Sequence, residues 1–303
     1  MVGGVFLAAS RNRVARRVVS RSPLTRRVVD RFVAGEQPID AVTATRRLAD
    51  AGLMVTIDHL GEEVRDTAAA VQTVKAYVGL LEALRPLEFG DRAEVSVKLS
   101  AVGQRLDGAM ALDHARRICE AARENGSTVT LDMEDHTTVD ATLEVLRALR
   151  TDFPDTGVAL QSYLFRTEAD CVDLRDSRVR LVKGAYREPA SVAYRRKSEV
   201  DLAYVRCLRL LMAGDGYPMV ATHDDRMIAI AELLADRHER SRDSYEFQML
   251  YGIRADKQRA LAASGANVRV YVPYGDDWYG YFMRRLAERP ANVAFFLRSL
   301  GSK

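Results

Sequence analysis

Short runs in which apolar and polar residues alternate recur along the chain, separated by longer stretches with helical spacing. The alternating runs are MVTIDHL (54–60), EVSVKLS (94–100), TVTLDMED (128–135), VALQSYL (158–164), VRLVKGAY (179–186), MVATHD (219–224), YEFQMLYG (245–252) and VRVYVPYG (268–275). Between most of them, over 66–84, 113–125, 139–150, 200–213, 227–235 and 257–264, apolar residues return every three or four positions, the period of an amphipathic helix. A further helix is predicted over 40–51, with Asp40 as N-cap and Gly52 as its stop. Eight strands alternating with helices predict a parallel sheet, and eight such units suit a closed (βα)8 barrel. The alternative, an open doubly wound sheet, usually carries a G-x-G-x-x-G turn after a strand; neither that nor a G-x-x-x-x-G-K-[ST] loop is present. The domain reading is an N-terminal helical arm over 1–52 packed on a barrel over 53–303, with a last helix around 293–300.

Residues two apart on a strand share a face, so each run can be split into an outer and an inner set. Val95, Val97 and Leu99 form an apolar set facing the helices, which turns Ser96, Lys98 and Ser100 inward. Leu131 and Met133 are likewise separated from Asp132 and Glu134. The same logic turns Thr56 and Asp58, Gln161 and Tyr163, Glu246, Gln248 and Leu250, and Arg269 and Tyr271 inward. Barrels ordinarily fill this space with Val, Ile and Leu, so a polar interior marks a site at the strand C-termini. A plain buried ion pair would account for Lys98 and Asp132 alone, but not for so many polar inner positions.

Composition and charge narrow the function classes. With 48% hydrophobic and 29% charged residues the chain reads as globular, and no apolar run approaches the length of a membrane span. Three scattered cysteines, Cys119, Cys171 and Cys207, suggest a reducing compartment and no zinc site. The net charge of +3 conceals an asymmetry: residues 1–31 carry eight arginines against Asp30, a net +7, which leaves the remainder at −4. That balance argues against nucleic acid as the partner of the barrel. The short apolar run at 5–9 precedes the arginines, the wrong order for a secretory signal. Val14, Val18, Val28, Val29, Phe32 and Val33 recur at helical spacing, so a docked helical arm is the preferred reading, with membrane-surface contact and targeting as alternatives.

The segment after the last strand, WYGYFMRRLAER (278–289), places Tyr281, Arg284, Arg285 and Glu288 on one helix face. Two adjacent guanidiniums beside an aromatic ring suit a carboxylate, and Glu288 stands one turn from Arg284 to orient it. A solvated, salt-bridged surface helix is the competing reading. Lys98 and Lys183 lie in predicted strands, where a desolvated amine can serve as a Schiff-base nucleophile. His223 ends a strand as a base, a cofactor contact or a polar tip. Asp132, Glu134, Asp135 and His136 have ligand chemistry, but the histidines are too scattered to favour a metal. No G-x-S-x-G elbow supports serine hydrolysis.

The motifs SVKLSAVG (96–103), LDMED (131–135), QSYL (161–164), RLVKGAY (180–186), ATHD (221–224), YEFQMLYG (245–252), VYVPYG (270–275) and YFMRRLAE (281–288) together resemble the proline dehydrogenase family, in the family's order over most of the barrel. The resemblance implies a distorted (βα)8 barrel that binds FAD non-covalently at the strand C-termini and oxidises L-proline to Δ1-pyrroline-5-carboxylate. It implies that Arg284 and Arg285 hold the substrate carboxylate with Lys98 beside them. Tyr271, Tyr281 and Leu250 would pack around the pyrrolidine ring, Ala185 and Tyr186 would wall the pocket, and Asp132 and Glu288 would orient the cations. Gln161, Arg180, Val182, Gly184, Thr222 and His223 would contact FAD, with Arg180 near the isoalloxazine N5 edge. The family further implies a membrane quinone as electron acceptor, for which the basic arm would serve as a peripheral membrane contact of an otherwise cytoplasmic enzyme. The chain has no room for an aldehyde dehydrogenase domain, so a separate pyrroline-5-carboxylate dehydrogenase is expected downstream. Asp276, Asp277 and Trp278 match no family role. Two competing functions are a class I aldolase-type barrel using Lys98 or Lys183, and an inactive barrel acting as a scaffold, which fold alone never excludes.

Overall fold

The computed structural model describes residues 29–61 and 63–288, without the side chains of Arg284 and 286–288. Eight strands form a closed parallel barrel in sequential order: β1 (Met54–His59), β2 (Ala93–Lys98), β3 (Val129–Asp132), β4 (Gly157–Gln161), β5 (Arg178–Val182), β6 (Tyr217–Ala221), β7 (Glu246–Leu250) and β8 (Val268–Tyr274). All eight match the sequence runs. The helices are α1 (Pro38–Asp50), α2 (Thr67–Leu84), α3 (Gly108–Glu124), α4 (Val139–Arg150), α5 (Thr167–Asp173), α6 (Lys197–Ala213), α7 (Asp225–Arg237), α8 (Ala255–Ala263) and α9 (Trp278–Glu288). Outward strand residues such as Val95, Val97, Leu131, Leu160 and Val270 pack against the helices in one continuous apolar layer. Burying a side chain of this kind contributes roughly 1.5–3 kcal/mol.

Several boundaries differ from the sequence reading, each for a local reason. Helix α1 starts at Pro38, whose fixed φ suits the first helical position. Gln37 is therefore the N-cap, and Asp40 instead accepts the Gln37 backbone N–H at 2.9 Å from the third helical position. Helix α3 begins five residues early, because Asp107 caps it by accepting from the N–H groups of Ala109 and Met110. Helix α5 was not anticipated: seven residues are too few to display a helical period. Strands β2 and β3 end at Lys98 and Asp132, so Ser100 and Glu134 belong to the loops that follow. There the Ser100 N–H and hydroxyl both donate to the Glu134 carboxylate, tying the two loops together.

Helix α1 shares the barrel's apolar layer through Ala41, Val42 and Ala44. Val29, Phe32 and Val33 pack with Leu60, Trp278, Tyr281 and Phe282, and the Trp278 indole donates to Glu36 at 3.2 Å. Trp278, which had no role in the sequence reading, anchors α9 to the segment preceding α1. Residues 1–28 and the helix expected over 293–300 lie outside the described residues.

Candidate active site

The barrel interior is charged, as the strand alternation implied. Among the described residues its ion pairs link four carboxylates (Asp58, Glu94, Asp132, Glu246) and four cations (Lys98, Arg178, Arg180, Arg269). Asp58, Glu94, Glu246 and Arg269 are all buried to within 1% exposure, and each faces a group of opposite charge. Glu94 sits among Arg269, Arg178 and Arg180. Burial alone would raise its carboxyl, but these three guanidiniums hold it down at about 2.

Arg180, on β5, is the hub of the upper layer. Its Nε donates to Gln248 (2.6 Å), Nη1 to Ser96 (2.7 Å) and Asp132 (2.6 Å), and Nη2 to Thr56 and Glu94 (both 3.3 Å). These are all five N–H donors of a guanidinium, so Arg180 meets the space above it as a fixed positive charge. Its planar face lies 5.4 Å from the Tyr271 ring centroid. Tyr271 reaches from β8 to donate to Asp132 Oδ2 at 2.7 Å. Lys98 donates to both oxygens of Asp58, at 2.8 and 2.7 Å, and stands 3.4 Å from Asp132 Oδ2. Burial raises Asp132, but Lys98, Arg180 and the hydrogen bonds from Ser96 and Tyr271 outweigh it and hold that carboxyl low. Asp58 has Lys98 as its cation and its shift is upward, burial prevailing. Burial, then the Asp132 charge, pushes the Tyr271 phenol well above its usual value.

Above this floor, at the C-terminal ends of the strands, opens a cavity of about 760 Å³. It is bordered by Asp132, Gln161, Arg180, Val182, Gly184, Ala185, Tyr186, Thr222, His223, Leu250, Tyr271 and Arg285, each singled out by the sequence resemblance. Lys98 does not line it, standing one layer behind Tyr271 and Asp132. Tyr281 is also set back: it is buried in the apolar cluster against which Leu250 and Tyr271 pack, with the Arg285 guanidinium 5.1 Å from its ring centroid. The backbone of α9 carries Arg284 and Glu288, whose side chains lie outside the described residues.

Local structure explains the placement of the lining. Gly184 has φ +117°, and a Cβ there would run into the Tyr163 ring. The glycine is thus required by the protein's own packing as well as by its position on the cavity wall. His223 Nε2 accepts the Leu250 N–H at 3.0 Å, which fixes the ring at the tip of β6. Thr222 accepts the Asp224 N–H at 3.1 Å and shapes the turn into α7. Gln161 donates to the Glu134 carbonyl at 2.7 Å.

The competing chemistries fare differently. Lys183 pairs with Asp201 and Asp224, and Lys98 with Asp58 and Asp132. Ammonium groups held in this way are poorly suited to Schiff-base attack, which needs the free amine. The four residues with ligand chemistry diverge: Glu134 turns to Ser100, Asp135 to Thr137 and Arg105, and His136 to Glu188, while Asp132 stays in the barrel. Alternation found Asp58 but not its bond to Lys98, and missed Glu94 and Arg180 as inner residues. Gln248, turned inward by alternation, borders the cavity; Met133, assigned to the helix-facing set, borders it too, as its strand has ended at Asp132, and Met249 and Lys197 border it unannounced. Alternation from Ser96 would have found Glu94; Lys197 lies on a helix start and gave no signal.

A closed (βα)8 barrel with a charged, ligand-sized cavity at the C-terminal ends of its strands has the architecture of a barrel enzyme. The family model for proline dehydrogenase matches residues 41–298, and the chain belongs to that family. It is 40% identical over 305 residues to proline dehydrogenase 1 of Bacillus subtilis, covering 100% of both chains. To proline dehydrogenase of Deinococcus radiodurans it is 45% identical over 276 residues, 89% of this chain and 88% of that one. Among solved structures it resembles proline utilization A (PutA) from Bdellovibrio bacteriovorus inactivated by N-propargylglycine, with a TM-score of 0.81 and 25% identity. That match covers 87% of this chain and 33% of the PutA chain, so the present chain spans about a third of that protein.

Proposed function

We propose that this protein oxidises L-proline to Δ1-pyrroline-5-carboxylate with FAD as its cofactor. The observation that carries the reading is the cavity of about 760 Å³, bordered by Arg285, Tyr271 and Leu250 and by the tips of β4 to β6. A pyrrolidine carboxylate needs only a small part of it; the rest suits an extended aromatic cofactor, within the roughly 300–1,000 Å³ range of ligand sites. The lining fits as well: His223 and the Arg180 charge border the cavity beside the apolar Val182, Ala185, Met249 and Leu250, a mix suited to an anionic, partly apolar group, and Lys197 borders it with its ammonium on Asp201 at 2.6 Å. When bound, FAD supplies the two-electron acceptor for hydride leaving the ring carbon next to the proline nitrogen.

Gln161, Arg180, Val182, Gly184, Thr222 and His223 hold the flavin. Arg284 and Arg285 hold the substrate carboxylate, with Lys98 contributing its charge from behind Tyr271. Tyr271 and Leu250 set the ring's orientation with Tyr281 packed behind them, Ala185 and Tyr186 close the wall, and Asp132 and Glu288 fix the cations. Oxidation removes hydride from carbon and a proton from nitrogen, leaving the C=N bond; no protein nucleophile is needed. The protein's share is orientation and preorganised charge. Anaerobic visible spectra of FAD-loaded protein test the reading: L-proline bleaches the flavin band. A flavin that proline leaves unbleached would refute the substrate, and protein that cannot be loaded would refute the cofactor.

A membrane quinone is proposed as the acceptor of the electrons, with a separate pyrroline-5-carboxylate dehydrogenase consuming the product. Among the described residues no helix is long and apolar enough to cross a membrane. The +7 charge of residues 1–31 supports peripheral contact with anionic lipid by a cytoplasmic enzyme. Equal sedimentation of intact and arm-deleted protein with anionic vesicles would remove that role.

A further inference from the structure

Asp58 is fully buried on β1, and it does not border the cavity. A carboxylate there carries a desolvation penalty of several kcal/mol at a position that barrels ordinarily fill with Val, Ile or Leu. Both of its oxygens are engaged by one ammonium, that of Lys98, at 2.8 and 2.7 Å. The groups facing Lys98 come from three strands: Asp58 from β1, Asp132 from β3 and the Tyr271 hydroxyl from β8, the last two each 3.4 Å away. Behind Asp58 stands Tyr77 of α2, which donates to the Ser96 carbonyl at 2.7 Å and lies 3.5 Å from Asp58 Oδ1.

The two carboxylates divide the cations between them. Asp58 takes the two short contacts of Lys98, so Asp132 shares Oδ2 between Tyr271 (2.7 Å) and the more distant Lys98 (3.4 Å), while Oδ1 serves Arg180 (2.6 Å) and Ser96 (2.7 Å). We infer that Asp58 is a positioning residue: it holds the Lys98 ammonium off Asp132, and thereby keeps the Tyr271–Asp132 pair in place at the cavity border. The inference rests on the proline-oxidation reading above. Without the charge at 58, Asp132, already 3.4 Å from the ammonium, gains weight as its partner; Lys98 shifts toward it and competes with the Tyr271 hydroxyl.

The test uses FAD-loaded wild type, Asp58→Asn, Lys98→Met, the double variant, and Asp58→Glu, which keeps the charge on a longer stem. Asp58→Asn lowers kcat for proline at least tenfold with KM changed less than threefold. In the Lys98→Met background the same change alters kcat less than twofold, because Asp58 acts through Lys98. Asp58→Glu recovers most of kcat, and this comparison carries the test if the Asn variant does not fold. A second readout needs no turnover: in the crystal structure of Asp58→Asn, Lys98 Nζ closes to hydrogen-bond distance of Asp132 and the Tyr271 hydroxyl leaves it. Unchanged kcat in Asp58→Asn, equal effects in both backgrounds, or an unmoved Lys98–Asp132 distance would each overturn the inference. Wild-type flavin inert to proline would sink the functional reading instead, and the crystal structure would then show separately whether Asp58 holds Lys98.

Discussion

The Tyr271 hydroxyl spans the barrel mouth from β8 to β3 and donates to Asp132 Oδ2 at 2.7 Å. The contact holds an aromatic ring upright on the cavity wall, and it is a hydrogen bond to a charged acceptor, worth about 1.5–3 kcal/mol. Tyr271→Phe keeps the ring and removes the tether. We expect kcat/KM for proline to fall by about one to two orders of magnitude if that energy is used in orienting substrate. Steady-state kinetics at matched flavin content check this, and an unchanged kcat/KM would show that the ring, not its hydroxyl, is what the site needs.

Arg285 borders the cavity with its guanidinium stacked near Tyr281. Lysine keeps the charge but loses the planar fork and the stacking. Arg285→Lys should weaken proline binding by about 2–4 kcal/mol, the range for losing a desolvated charge-assisted contact. The change should appear mainly in KM, and Arg284→Lys should act in the same direction. An unchanged KM in both variants would sink the carboxylate clamp.

How much of this was legible in the sequence varies with the physics involved. Strand positions came through because a parallel barrel strand is bounded by turns and its period of two is visible in five residues, as in Ser96–Lys98 against Val95–Val97. Helix ends were less legible: Pro38 and Asp107 override the first periodic residue, and α5 is too short to show a period. The inner polar set was visible, but who pairs with whom was not. Lys98 is in register with Asp132, yet its amine turns to Asp58 on the other neighbouring strand, a choice set by side-chain reach and burial. Gly184 was marked for a cofactor approach, whereas a contact with Tyr163 within the protein already demands it.

That contact makes Gly184 a sharp probe. Alanine there adopts a disfavoured backbone at φ +117° and drives its Cβ into the Tyr163 ring. We expect Gly184→Ala to destabilise the β5 loop by about 1–3 kcal/mol and to lower the flavin-to-protein ratio after loading. Adding Tyr163→Ala should relieve the clash while leaving the dihedral strain, so the double variant should lose less stability than the sum of the two single losses. Full retention of flavin by Gly184→Ala would remove this loop from the cofactor site.

The Glu94 cluster predicts the acid limit of the fold. Its carboxyl lies at about 2 in the folded protein against an ordinary 4.5. A depressed carboxyl stabilises the fold fully above its unfolded value, and that stabilisation drains away as pH falls from about 4.5 toward 2. At about 1.4 kcal/mol per pKa unit this group accounts for about 3 kcal/mol over that window. Glu94→Gln removes the titration and takes the carboxylate away from Arg178 (3.0 Å) and Arg180 (3.3 Å), while Arg269 keeps Glu246 at 2.8 Å. The variant should therefore be less stable than wild type at pH 7 by about 3–5 kcal/mol, yet lose less stability between pH 5 and pH 2. Urea unfolding across that range measures both slopes. If the two proteins lose stability in parallel, the three arginines do not hold Glu94 ionised and the charge network at the base of the barrel is wrongly described.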